Sequence, residues 1–148
     1  MKDVNKAVRT AYYNALNNTI TSNGNPVPFF DQTPSGQAYP YIYVAGNTCT
    51  EDGTKDYYGF NYTITIVVSN KETANAGGQL TIDDICDALL HRIKGSSPTD
   101  QPLSFAPNFL NVVTSLEQSN YLPSMELDSI IRSRTIKIRH RIQQLSNN

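Results

Sequence analysis

The sequence predicts an α+β fold: a mostly antiparallel sheet of about four to five strands with two helices packed on one face. Two patterns carry this. Residues 59–70 alternate between apolar and polar side chains, the period of a half-buried strand, and two other segments repeat apolar residues every three to four positions, the period of an amphipathic helix. A third observation sets the class: strand runs follow one another instead of alternating one for one with helices, which favours antiparallel pairing over βαβ units.

The first helix spans Asp3 to Asn18. Val4, Ala7, Val8, Ala11, Tyr12, Ala15 and Leu16 form one apolar stripe, with Asp3 as N-cap and Asn17-Asn18 as the stop. Thr21 to Pro26 is turn chemistry, and Val27 to Asp31 is a short strand that Pro28 confines to an edge. Tyr39-Pro40-Tyr41-Ile42-Tyr43-Val44 is a strand begun by a proline, and Gly46 to Asp56 is a polar loop holding Cys49. The strand Gly59 to Asn70 puts Phe60, Tyr62, Ile64, Ile66 and Val68 on a core. Its other side is mostly Thr and Asn, which suits solvent or a partner. Ser69 to Gln79 is a loop containing Gly77-Gly78.

In the second helix, Thr81 serves as cap with Asp84 three residues on, and Ile82, Ile85, Cys86, Leu89, Leu90 and Ile93 form the buried stripe. Asp83, Asp84 and Asp87 lie near the positive end of its dipole, His91, Arg92 and Lys94 near the negative end, and Gly95 follows as C′. After a loop to Pro107, Phe109 to Gln118 is a strand with Leu110, Val112, Thr114 and Leu116 on one face. Asn120 to Asp128 is a connection. The last strand, about Ile130 to Gln143, sets Ile136, Ile138, His140 and Ile142 on the core side and Thr135, Lys137, Arg139 and Arg141 on the other. Residues 144–148 form a polar tail.

At 148 residues and 16.4 kDa, with no internal repeat, the expectation is one domain, 1–148. Nine Tyr and five Phe make the chain too aromatic for a disordered one. No run approaches the ~18–20 apolar residues of a membrane span, and the first residues lack the apolar core of a signal peptide. Two cysteines, Cys49 and Cys86, fit reduced thiols better than a disulfide framework.

A search for chemistry returns little. There is no phosphate-binding loop, G-x-G-x-x-G, H-E-x-x-H or paired C-x-x-C. His91 and His140 are too few for a zinc site: His91 reads as a helix-dipole partner and His140 as a hydrogen-bonded sheet histidine. Asp83, Asp84 and Asp87 read as helix-start carboxylates instead of metal ligands. No catalytic residue, metal or cofactor is expected, and the chain is read as not an enzyme. The tyrosines fit an interface and a strand-rich core equally well.

Only 17% of residues are charged, against ~25% in an ordinary domain, and the net charge is −1. Taken as a total, this excludes a broadly basic nucleic-acid binder. Residues 1–129 carry 7 basic and 13 acidic side chains, net −6, and residues 130–148 carry 5 basic and no acidic ones. Lys137, Arg139 and Arg141 alternate, so one face of the last strand is a basic stripe; Arg132 and Arg134 are weaker members. The stripe can meet an acidic neighbour, face DNA, or be a solvated face paired with carboxylates of its own chain.

An Ala-spaced N-terminal helix, a short strand ending near Phe30-Asp31, Gln37-Ala38-Tyr39-Pro40-Tyr41-Ile42-Tyr43-Val44, the strand Phe60 to Val68, the helix Ile82 to Leu90 and a last strand ending Arg139-His140-Arg141-Ile142 follow in that order. This arrangement resembles the tail-completion and tail-terminator family of tailed bacteriophages and related prophages, over roughly residues 4–143, departing in the polar stretch Gln101 to Asn108 and in the Asn-rich loops. The resemblance implies a virion structural protein without an active site. It would form a homo-oligomeric ring of six or twelve copies at the neck, meet portal, neck and tail proteins, pass DNA through its lumen, and assemble in the host cytoplasm. The alternative is a small nucleic-acid-binding or regulatory module using the basic C-terminal strand.

Overall fold

In the computed structural model, residues 1–32, 34–73 and 80–145 are described. The elements follow in the order α1 (Asn5–Leu16), β1 (Thr21–Ser22), β2 (Asn25–Pro26), β3 (Phe29–Phe30), β4 (Tyr41–Glu51), β5 (Gly59–Thr73), α2 (Leu80–Lys94), β6 (Phe109–Met125) and β7 (Ser129–Gln144). The main sheet has strand order β3-β4-β5-β7-β6. It is antiparallel throughout except for the two-residue β3, which pairs parallel to β4. The fold is therefore α+β as expected, with a mixed sheet. The expected strand at 27–31 is reduced to Phe29–Phe30.

The central pair β5 and β7 explains the layering. Gly59 to Thr73 pairs residue for residue with Gln143 to Ser129, without a bulge. Directly opposed residues share a face, so the even-numbered residues of both strands face one way. Phe60, Tyr62, Ile64, Ile66 and Val68 join Ile136, Ile138 and Ile142 in one buried cluster with Val8, Tyr12 and Leu16 of α1 and Ile82, Ile85, Leu89 and Ile93 of α2. Both helices thus cover one face, and the odd-numbered face is left open.

The helix ends differ in detail from expectation. α1 begins at Asn5 with Val4 at the N-cap position and no side-chain cap bond there. Asp3 still serves the first turn, since the Asn5 N–H donates to its Oδ1 at 3.0 Å. Thr81 lies inside α2 instead of capping it. At the far end Gly95 adopts φ +77° and its N–H donates to the His91 carbonyl at 2.8 Å, as a C′ glycine should.

Three further expectations are corrected. Thr21 to Pro26 is a small hairpin, β1–β2, turned by Asn23 (φ 51°) and Gly24 (φ 79°), the left-handed pair that a tight hairpin requires. Gly46 to Glu51, read as loop, continues β4 against Phe60 to Thr65 past a bulge at Val44/Gly46. Residues 45–51 are all exposed and give no burial alternation, so pairing there is by backbone alone. Ser69 to Thr73 likewise belongs to β5. Gly77-Gly78 and residues 146–148 of the tail lie outside the described residues.

β6 differs most. It runs to Met125, through Pro123, leaving only Glu126 to Asp128 as connection. Bulges at Asn111/Val113 and Leu116/Gln118 each insert a residue and invert the alternation. Phe109, Asn111 and Thr114 are the buried positions, while Leu110, Val112 and Leu116 of the expected stripe are exposed.

Candidate functional site

Strand parity divides the terminal cations. Lys137, Arg139 and Arg141 occupy odd positions of β7 and stand on the open face, opposite Thr65, Thr63 and Asn61 of β5 and Gln118, Ser115 and Val113 of β6. Lys137 Nζ lies 3.9 Å from Glu117 and Arg141 Nε 3.7 Å from Asp52. All four side chains of these pairs are well exposed, so each pair contributes little. Arg139 is exposed and makes no ion pair among the described residues.

Arg132 and Arg134 are even-numbered and point to the helix side. Arg132 Nε lies 3.3 Å from Glu72 Oε2 and its Nη1 donates to the Tyr121 hydroxyl at 2.5 Å. Arg134 pairs with Asp83 of α2 at 3.0 Å. These two cations therefore serve the fold and are not part of the open-face stripe.

At the other side of the open face the side chains are aromatic. Phe30, Tyr41 and Tyr43 form a ladder, with ring centroids 6.4 Å apart for Phe30–Tyr41 and 5.9 Å for Tyr41–Tyr43, and Tyr39 lies 4.9 Å from Tyr41. Burial, then the hydrogen bond with Tyr39, pushes the Tyr41 phenol up to about 12. The tyrosines thus divide: Tyr12 and Tyr62 are in the core, while Tyr39, Tyr41 and Tyr43 are half-buried on or beside the open face. The parity of Tyr41 and Tyr43 against buried Ile42 and Val44 already carries this division. The face as a whole is a Thr-rich platform with an aromatic side and a basic side.

The histidines are placed as expected. His91 is exposed in the last turn of α2. His140 is fully buried. Its Nε2 lies 2.5 Å from the Tyr12 hydroxyl, and its Nδ1 lies 3.0 Å from Thr114 Oγ1 and 3.3 Å from Asn111 Oδ1. The Asn111 amide oxygen can only accept, which puts the ring hydrogen on Nδ1 and makes Nε2 the acceptor for Tyr12. Burial, then the nearby Lys94 charge, lowers this imidazole to about 4. It is a structural group with every polar atom engaged.

The acidic trio is also separated. Asp83 is tied to Arg134, while Asp84 and Asp87 are exposed on the outer surface of α2. Among the described residues no group of three His, Cys, Asp or Glu side chains could hold a metal. Cys49 is exposed and Cys86 buried, both free, and burial pushes the Cys86 thiol up to about 11. Among the described residues no helix is long and apolar enough to cross a membrane.

No family model matches the chain, and no curated protein does. Among solved structures it is similar to a chain of one titled "Virion of native gene transfer agent (GTA) particle", with 18% identity and a TM-score of 0.66. The superposition covers 97% of this chain and 99% of that one. The likeness is one of fold, from end to end of both chains.

Proposed function

We propose that this chain is a virion structural protein, a tail-terminator-like or head–tail connector subunit. It assembles into a ring of six or twelve copies between the portal side of the capsid and the tail, and DNA passes through the lumen. The observation that carries this reading is the full-length fold likeness to a chain of a gene transfer agent virion, with neither chain leaving a large unmatched part. The sequence resemblance to tail-completion proteins points the same way independently.

The physical form fits such work. A ring subunit acts by being covered, and among the described residues one whole sheet face is free of helices. That face carries half-buried tyrosines and weakly held cations instead of a hydrophobic stripe that would aggregate. The chemistry is assembly and sealing, with no residue asked to make or break a bond.

The test is location and loss. Particles from the producing strain should contain the chain at the junction of head and tail, seen by labelled electron microscopy. Deleting it should leave filled or leaking heads and unjoined tails. Intact, infectious or transducing particles from the deletion strain would overturn the proposal.

A further inference from the structure

We propose that copies join head to tail, the open sheet face of one subunit seating on the outer surface of α2 in the next. Lys137, Arg139 and Arg141 would meet Asp84 and Asp87. This deepens the ring reading and rests on it, since it names the surfaces that close the ring.

The first support is charge. The chain divides into an acidic body and a terminal strand with 5 basic and no acidic residues. On the outer surface of α2, Asp84 and Asp87 are exposed and make no ion pair among the described residues, with Leu80, 73% exposed, one turn before Asp84. On the open face Arg139 makes no ion pair either, and the partners of Lys137 and Arg141 stand at 3.9 and 3.7 Å in solvent. Exchanging such pairs for intersubunit ones costs little. Each surface has what the other lacks.

Spacing is the second support. Residues 84 and 87 are an i,i+3 pair with Cβ atoms about 5–6 Å apart on one helix face. Residues 137, 139 and 141 are i,i+2 neighbours about 6.8 Å apart along a strand. The two rows can register charge against charge. The cations are flanked by Val113, 46% exposed, and Leu110, 49% exposed, which gives Leu80 an apolar counterpart.

Placement is the third support. The helix layer covers one face of the sheet and the stripe lies on the opposite face, so the two patches look outward from opposite sides of the subunit. A contact between unlike patches is heterologous, and a repeated heterologous contact makes a ring when its rotation closes. A two-fold dimer would have to set like charge on like charge here.

The experiment is a charge swap on the full chain. Lys137→Glu with Arg139→Glu should reduce ring formation by about tenfold or more in the concentration at which it appears, and so should Asp84→Lys with Asp87→Lys. Combining all four substitutions in one chain should restore it. Native mass reads free protein, and incorporation into particles reads the same variants when rings form only there; melting curves establish that each variant folds. Rings that form normally from either singly reversed chain would overturn this contact while leaving the ring reading standing. So would a cation-reversed chain that assembles fully but loses DNA retention, which would assign the stripe to the lumen. A wild-type chain absent from particles would overturn both.

Discussion

The Tyr12 hydroxyl lies 2.5 Å from Nε2 of His140, joining the first helix to the last long strand across a sequence separation of 128 residues. Burial, then the nearby Lys94 charge, keeps the imidazole neutral, and the Thr114 and Asn111 contacts engage its Nδ1. The pair ties α1 to the sheet at the strand whose other face carries the basic stripe. A polar cluster at the centre of the core thus positions a surface it does not touch.

Stability should fall on mild acidification because of this histidine. Its folded imidazole titrates near about 4 and its ordinary value is 6.5, so the unfolded chain binds the extra proton between those values. The stabilisation is complete above pH ~6.5 and is lost as pH drops toward ~4, at about 1.4 kcal/mol per pH unit and about 3 kcal/mol in all. Urea unfolding from pH 7 to 4.5 checks this, and His140→Gln should flatten that part of the profile whatever its effect at pH 7.

Tyr12→Phe should destabilise the protein by about 1–3 kcal/mol, because it leaves the buried Nε2 without a donor. The measurement is the shift of the denaturation midpoint with the m-value unchanged.

The two faces of β7 should respond differently to loss of charge. Arg132→Ala strips Glu72 and the Tyr121 hydroxyl of a partly buried partner and should cost about 1–3 kcal/mol. Arg139→Ala should stay within about 0.5 kcal/mol, as an exposed side chain without an ion pair among the described residues. Equal effects in chemical denaturation would contradict the assignment of the faces.

Gly95→Ala should cost about 1–2 kcal/mol. The position has φ +77°, and a Cβ would come within 2.5 Å of the Asp100 side chain. That carboxylate accepts from the Ser96 and Ser97 N–H groups at 2.9 and 3.1 Å, so it cannot move aside freely. These bonds also hold Asp100 below the usual carboxylate range, chiefly through Ser96.

How much of this was legible depends on burial. Where one face is buried, as at Phe60 to Val68, at Ile136 to Ile142 and along both helices, alternation or helical period marks the element and its core side directly. Gly46 to Glu51 is exposed on both faces and has no periodic signal, so only its pairing with β5 reveals a strand. The core side of β6 was hidden because two bulges change its parity, and a bulge leaves no mark in a Leu-Asn-Val-Val-Thr-Ser-Leu run. The basic stripe was legible from parity alone. That Arg132 and Arg134 are consumed inside the fold depends on Glu72 and Asp83, which local sequence does not bring near.

Electron microscopy of the purified protein, with native mass on the same sample, reads whether the proposed closed ring forms. The expected result is annular particles with a central channel and a mass of six or twelve copies, at high concentration or on particle ends. A chain that remains a monomer or dimer under all these conditions, and binds DNA tightly at about 150 mM salt, would contradict it and favour a nucleic-acid-binding module.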